Sequence, residues 1–363
     1  MAIVPIFGHE ELQTRLRDAI ERNALPATLL FQGPRGVGKQ RLGLWLGQLL
    51  LCENSLSAAP CGNCQSCRFS QELRHPDLHW YFPRPRQKDT DPDLDDVRAD
   101  YSEAVAERVK NGGLYPPPSG SDGIYVATVR AIVQQAALSP AMARRKVFLI
   151  GDAERMVPQE GSEQAANAFL KLLEEPPADT TIVLTSSEPG ALLPTVRSRM
   201  VAIRVPPLST TDVRAFLSDA GVAERLDDDD ALPAGLSERV AFAGGAPGRL
   251  LEGAMWNQAV DSARRLLESV GGKPSATYEA AWAQASTKAR GSFADALDAL
   301  TVALHERART SAPRGTGGGG ERAALAATRA IAAVEVAKER VASNVSPQLI
   351  TVNLLRELQE LFS

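Results

Sequence analysis

The sequence predicts an α/β body followed by helical domains, and three observations carry that prediction. The apolar run Thr28-Leu29-Leu30-Phe31 leads through Gly33-Pro34-Arg35-Gly36-Val37-Gly38-Lys39 into a helix marked by Leu42, Leu46, Leu49 and Leu50. Strand, glycine-rich loop and helix in that order begin a parallel layer. Strand-sized apolar runs then recur at 146–150, 181–185 and 200–205, with helical periodicity between them. After Pro206-Pro207 such runs stop, and the remainder is rich in helix formers.

The 363 residues are too many for one compact core, which predicts two or three domains. The expected divisions are a body over 1–206, a small helical unit over 207–255 and a helical domain over 256–363. Within the body, Leu12, Leu16, Ala19 and Ile20 mark a helix over 11–22, and helices are expected over 126–137 and 163–175. Pro176-Pro177 stops the last of these. The Pro-, Asp- and Gly-rich stretch 81–123 reads as a surface insertion holding a helix near 97–109. Ser209-Thr210-Thr211-Asp212 reads as a cap and first turn. Gly317–Gly320 reads as a loop between helices, followed by long apolar periodicity over 323–362. Hydrophobic residues make up 44% and charged residues 23%, ordinary for a globular chain. A net charge of −4 supplies no general basic field, so nucleic-acid contact would be confined to a local patch. Neither a signal-peptide pattern nor an apolar run of membrane length is visible, so a cytoplasmic location is expected.

Gly33-x-x-x-x-Gly38-Lys39 matches the phosphate-binding loop in its required place between strand and helix. Gly33, Gly36 and Gly38 let backbone N–H groups face phosphate oxygens, and Lys39 reaches the terminal phosphates of ATP or ADP. The next residue is ordinarily Ser or Thr, whose hydroxyl holds magnesium. Here it is Gln40. A hydrolysing protein also places Asp then Glu after the strand ending at Ile150, whereas this chain has Gly151 then Asp152. Asp152 followed by Ala153 is the alternative register, and either way one acid is missing. Both departures fall on magnesium chemistry, so nucleotide binding that is weak or absent, without efficient hydrolysis, is expected.

Cys52, Cys61, Cys64 and Cys67 are the only cysteines. Four thiolates at this spacing close a tetrahedral structural zinc site, while another metal or an iron–sulfur cluster remains open on thiolates alone. His75 and His79 are expected to pack rather than ligate.

Several separate segments resemble the clamp-loader branch of the AAA+ proteins. They are Phe7–Glu11 with Leu25–Phe31, the four-cysteine insertion after the loop helix, His75-Pro76-Asp77-Leu78, Asn167–Pro177, Thr195-Val196-Arg197-Ser198-Arg199-Met200, Gly244–Arg249 and Ser343–Leu349. The resemblance implies an α/β AAA+ body with an inserted zinc module, a helical lid and an all-α collar that holds a pentamer together. It implies gamma/tau and delta clamp-loader subunits as partners, a ring-shaped sliding clamp as cargo, and primer-template DNA within the complex. It also implies that Ser198 and Arg199 form an arginine finger that reaches a neighbouring subunit's ATP. Such fingers contribute roughly 10³–10⁵ in rate where they have been studied. Clamp loaders carry cysteine where this chain has Met200. Arg249 falls one position from the register of a nucleotide-sensing arginine. An active gamma/tau-type ATPase is the alternative, but it would keep Ser or Thr after Lys39 and an Asp-Glu pair.

Overall fold

In the computed structural model the described residues are 2–54, 59–86, 92–118, 122–156, 163–227, 232–271, 274–284, 290–311, 318–342 and 345–362. They fall into two compact units, Met1–Leu251 and Glu252–Ser363.

The first unit is built on a five-stranded parallel sheet. Its strands are β1 (Thr28–Gln32), β2 (Leu78–Tyr81), β3 (Lys146–Ile150), β4 (Thr180–Ser186) and β5 (Val201–Arg204). They lie in the order β2-β3-β4-β1-β5, and every pairing is parallel. β3 and β4 are buried along their whole length, which is why they read as unbroken apolar runs. β5 is an edge strand with most of its residues exposed. β2 was not anticipated as a strand. Its sequence, Leu-His-Trp-Tyr, is four residues long and lacks a β-branched run, so only pairing with β3 reveals it.

The helices of the sheet unit are α1 (Glu10–Glu21), α2 (Lys39–Leu51), α3 (Gln65–Gln71), α4 (Leu94–Lys110), α5 (Val126–Ala137), α6 (Glu163–Glu174) and the short α7 (Pro194–Arg197). The stretch 81–123 departs from its expected role as a surface insertion. Arg84 and Gly123 exchange backbone hydrogen bonds of 3.0 and 2.9 Å that close its base. Its helix α4 buries Val97, Tyr101 and Ala104 in the main core. The sequence masks this because charged residues interrupt the apolar face of α4, and one aromatic side chain, Tyr101, does much of the packing.

A second, smaller core lies in the same unit. It joins α8 (Thr210–Leu217), α9 (Ala220–Leu226) and α10 (Leu236–Ala243) through Val213, Phe216, Val222 and Leu250, with Leu114 from beyond α4. The expected cap is present: Ser209 Oγ accepts the Asp212 N–H at 3.1 Å, and Asp212 Oδ2 accepts the Ser209 N–H at 3.3 Å.

The unit Glu252–Ser363 is helical among its described residues: α11 (Gly253–Val270), α12 (Pro274–Trp282), α13 (Arg290–Ser311), α14 (Gly318–Ala342) and α15 (Pro347–Phe362). Leu297, Leu300, Val334 and Leu355 are among its buried residues. Gly318, Gly319 and Gly320, expected in a loop, instead form the first turn of α14, where intrahelical bonding is incomplete and glycine costs least. Gly317 and, in the Ser343–Leu349 segment, Ser343 and Asn344 lie outside the described residues. Among the described residues no helix is long and apolar enough to cross a membrane.

The His75-Pro76-Asp77-Leu78 segment has a structural explanation. Asp77 is buried, and its carboxylate accepts the N–H groups of Ala141, Met142 and Ala143 at 2.6, 2.8 and 2.7 Å. This fixes the turn that feeds β3. Burial raises the Asp77 pKa, but the three N–H donors outweigh it and leave the carboxyl below its ordinary value. The resulting stabilisation is complete above the pKa of an unfolded aspartate and is lost as the pH falls through the lower folded value. Asp77→Ala leaves three donors unpaired and is expected to cost at least about 2 kcal/mol. Urea unfolding at neutral pH measures this loss, and the variant should also lose part of the acid sensitivity of the parent chain.

Candidate functional site

Parallel strands bring the loops after β1, β3 and β4 to one edge of the sheet, where ligands of open α/β folds bind. The phosphate loop lies there, with Gly38 at φ 93°, a left-handed turn that glycine adopts freely. Lys39 is buried, and its ammonium donates to Gly33 O, Pro34 O and Ser187 Oγ, each at 2.9 Å. Three ammonium protons thus meet three acceptors of the chain itself. The Gly248 N–H donates to Gly36 O at 2.9 Å, which lays the 244–249 segment on the loop. The Arg249 guanidinium hydrogen-bonds Ala243 O at 3.3 Å.

Gln40 links three elements. Its Oε1 accepts the indole N–H of Trp80 on β2 at 2.9 Å, and its Nε2 donates to Asp152 Oδ2 at 3.0 Å. A Cβ added at Gly151 would lie 2.3 to 2.6 Å from the three terminal atoms of the Gln40 amide. No side chain at 151 fits while Gln40 holds this position. The two departures from a hydrolysing site are therefore one steric feature: the amide occupies the space that an aspartate at 151 would need. The Asp152 backbone N–H donates to Thr185 Oγ1 at 3.1 Å, so this acid is drawn into the network.

Glu154 was missed by sequence reasoning. It follows Asp152 by two residues in a short 3-10 turn over Ala153–Arg155. Its Oε1 accepts the Ser187 N–H at 3.0 Å, which ties it through Ser187 to Lys39. Burial first, and the Asp152 carboxylate second, push its carboxyl up to about 7, while Lys39 opposes the shift. The only signal was its spacing from the strand end.

The stretch 81–123 also reaches the site. Arg108 of α4 places its guanidinium 4.5, 3.2 and 3.7 Å from the ring centroids of Trp80, Phe82 and Tyr115, a cation held by three aromatic faces. Burial lowers its pKa to about 10. Arg41, next to Gln40, donates to Gly113 O at 3.1 Å beyond the same helix. The side chain that buttresses Gln40 is thus itself packed against the 81–123 excursion.

The four cysteine sulfurs lie within 4.8 Å of one another and are placed to hold a metal ion. A tetrahedral set around zinc, with bonds of about 2.3 Å, needs sulfurs roughly 3.8 Å apart. Cys61 and Cys67 stand at 3.9 Å. The N–H groups of Cys61, Cys64 and Cys67 point at the sulfurs of Cys52, Cys61 and Cys64 at 3.5, 3.4 and 3.3 Å. The N–H groups of Cys64 and Asn63 bring the Cys61 thiol down to about 6, whereas burial raises Cys67. His75 and His79 pack, as expected. His75 Nδ1 accepts the Asp77 N–H at 3.0 Å, and His79 stacks on Phe148 at 4.7 Å.

Ser198 and Arg199 lie between α7 and the edge strand β5, away from the burial that surrounds Lys39. Ser198 Oγ donates to Thr195 O at 3.2 Å and accepts from Arg199 Nη1 at 3.3 Å. The Arg199 carbonyl accepts the Thr28 hydroxyl at 2.8 Å, which anchors its backbone to the first residue of β1. Met200 is buried and packs in the main core.

Sheet order and loop together define a P-loop α/β protein. Residues 8–209 match the family described as DNA polymerase III, delta subunit, and the chain belongs to that family. The delta-prime subunit of DNA polymerase III from Pseudomonas aeruginosa is 31% identical over 218 residues, covering 60% of this chain and 52% of that protein. The Bacillus subtilis delta-prime subunit is 27% identical over 222 residues, covering 60% and 54%. The Escherichia coli tau subunit is 27% identical over 209 residues, covering 58% and 26%. The matched region therefore spans about half the length of these delta-prime relatives. A solved gamma-subunit-related protein of Thermotoga maritima aligns over 97% of this chain and 99% of its own at 18% identity. Its TM-score of 0.34 carries no further weight.

Gly151→Asp is expected to lower stability by about 1–3 kcal/mol through overpacking against Gln40. Gln40→Ser in the same chain should recover most of that loss. Thermal unfolding of the two single variants and the double variant measures the coupling, and additive effects would separate the two positions.

Proposed function

We propose that this chain is a delta-prime-type subunit of a DNA polymerase III clamp loader, and that it lends Arg199 to the ATP of a neighbouring gamma/tau-type subunit. Its own phosphate loop does not hydrolyse ATP. The observation that carries this reading is the Gln40 amide, wedged against Gly151 and bonded to Trp80 and Asp152 where magnesium ligands would stand. Membership of the family supports the clamp-loader setting. The position of Arg199 beside an exposed sheet edge supports action outside its own domain. Under this reading 207–255 serves as the AAA+ lid and 256–363 as the collar of a pentamer that opens a sliding clamp on primed DNA.

Zinc is the proposed occupant of the cysteine cluster, in a structural role. Cys52 follows the C-terminus of α2 and Lys39 begins it, so the cluster lies one helix length, roughly 20 Å, from the phosphate loop. Four thiolates leave no open coordination position for chemistry. The purified chain should carry about one zinc ion, and Cys64→Ser should reduce the content measured by elemental analysis.

The functional test mixes the chain with an intact gamma/tau-type ATPase and a delta partner. Arg199→Ala should lower clamp- and DNA-stimulated ATP hydrolysis by at least about tenfold, given the range seen for such fingers. Lys39→Ala should leave the rate unchanged. Magnesium-dependent turnover by the purified chain alone would favour the gamma/tau-type alternative instead.

A further inference from the structure

This inference rests on reading Arg199 as a finger that acts on a neighbouring subunit. A finger has to offer N–H groups to a phosphoryl oxygen, and a guanidinium has five. Here at least four are already engaged. Nε–H donates to Glu174 Oε1 at 2.6 Å, and Nη2 donates to the same oxygen. Nη1 donates to Thr195 O at 2.8 Å and to Ser198 Oγ at 3.3 Å. Four of the five N–H groups are thus taken by its own chain, which leaves the guanidinium unready for a phosphate.

Glu174 is the last residue of α6. A carboxylate there faces the negative end of the helix dipole, so the helix itself does not favour an acid at this position. Arg199 supplies the compensating charge. The pair is not locked away: the two side chains keep 29% and 44% of their surface exposed, so water and salt weaken it. A polyphosphate brings more negative charge than one carboxylate and accepts a guanidinium in the same forked geometry. The surrounding surface also suits docking. Leu193, just before α7, is 55% exposed, and Val201, the first residue of β5, is 48% exposed.

We propose that Glu174 is a latch for Arg199. In the unassembled chain it holds the guanidinium folded back against α7. When a neighbouring subunit presents nucleotide at this edge, its phosphates take over the N–H groups and Glu174 is released. The finger is thereby delivered by assembly and nucleotide together, and Glu174 acts as a positioning residue through Arg199.

The test uses the assembled complex with wild type, Glu174→Gln, Glu174→Ala, Arg199→Ala and the Glu174→Gln/Arg199→Ala double variant. Removing the latch should raise the ATPase rate without clamp and DNA by about 1.5- to 5-fold, the range for an exposed ion pair. Alanine should act at least as strongly as glutamine. Clamp and DNA should shrink the difference, since they already favour engagement. In the Arg199→Ala background Glu174→Gln should have no effect. In the isolated chain the Arg199 Nε–H resonance should move in Glu174→Gln, with unfolding temperature unchanged. A rate that falls in Glu174→Gln, or that stays constant while Arg199→Ala lowers it, overturns the latch and leaves the finger standing. Equal effects of Glu174→Gln with and without Arg199 also overturn the latch. If Arg199→Ala itself matches wild type, the finger reading fails and the latch fails with it.

Discussion

The Gln40 amide in contact with Gly151 is the constraint on which the site depends. A serine or threonine after the loop lysine would leave room at the end of β3 for an acid, and the two would share a metal ion. Glutamine instead reaches across the sheet to Trp80 on β2 and to Asp152 beyond β3. β3 then has to end in bare backbone. In a buried setting each of these hydrogen bonds is strengthened, and any group left unpaired is costly, so the network resists piecemeal change. Trp80 is held in turn by the Arg108 guanidinium between aromatic rings. A stretch that reads as an insertion is therefore part of the support for the phosphate loop.

The same unit holds two chemically different regions. At the C-terminal edge of the sheet, Lys39, Gln40 and Asp152 are hydrogen-bonded to one another's neighbours and to the loops around them, and Glu154 is held there through one carboxylate oxygen. At the β5 edge, the Arg199 guanidinium is held by Glu174, Thr195 and Ser198 on a partly exposed surface. A buried, hydrogen-bonded interior is suited to rigidity, and a partly exposed arginine paired with one carboxylate is suited to exchange. That contrast fits a subunit whose contribution to catalysis lies on its surface. The cysteine cluster lies at the far end of α2 from Lys39.

Asp77 illustrates how strongly the backbone of this body is organised by single side chains. Its carboxylate closes the turn before β3 by accepting three consecutive N–H groups, and β3 in turn delivers Gly151 and Asp152. Beside this turn His75 accepts the Asp77 N–H, and His79 stacks on Phe148.

Local pattern sufficed for much of this. The glycine loop, the buried strands β1, β3 and β4, the proline stop after α6 and the Ser209 cap are short-range features, each set by residues within about one turn or one strand of each other, and the cysteines lie close in sequence. The strand β2, the burial of α4, the Arg108 cage, the Ser187 partner of Glu154 and the Glu174 partner of Arg199 are long-range. They join residues far apart in the chain, and propensity at either end says nothing of the other. By itself the sequence determined that Gln40 and Gly151 stand where magnesium ligands are usually found. Only the tertiary structure decided that these are one substitution in physical terms, because steric exclusion between two side-chain positions exists only once β3 lies beside α2.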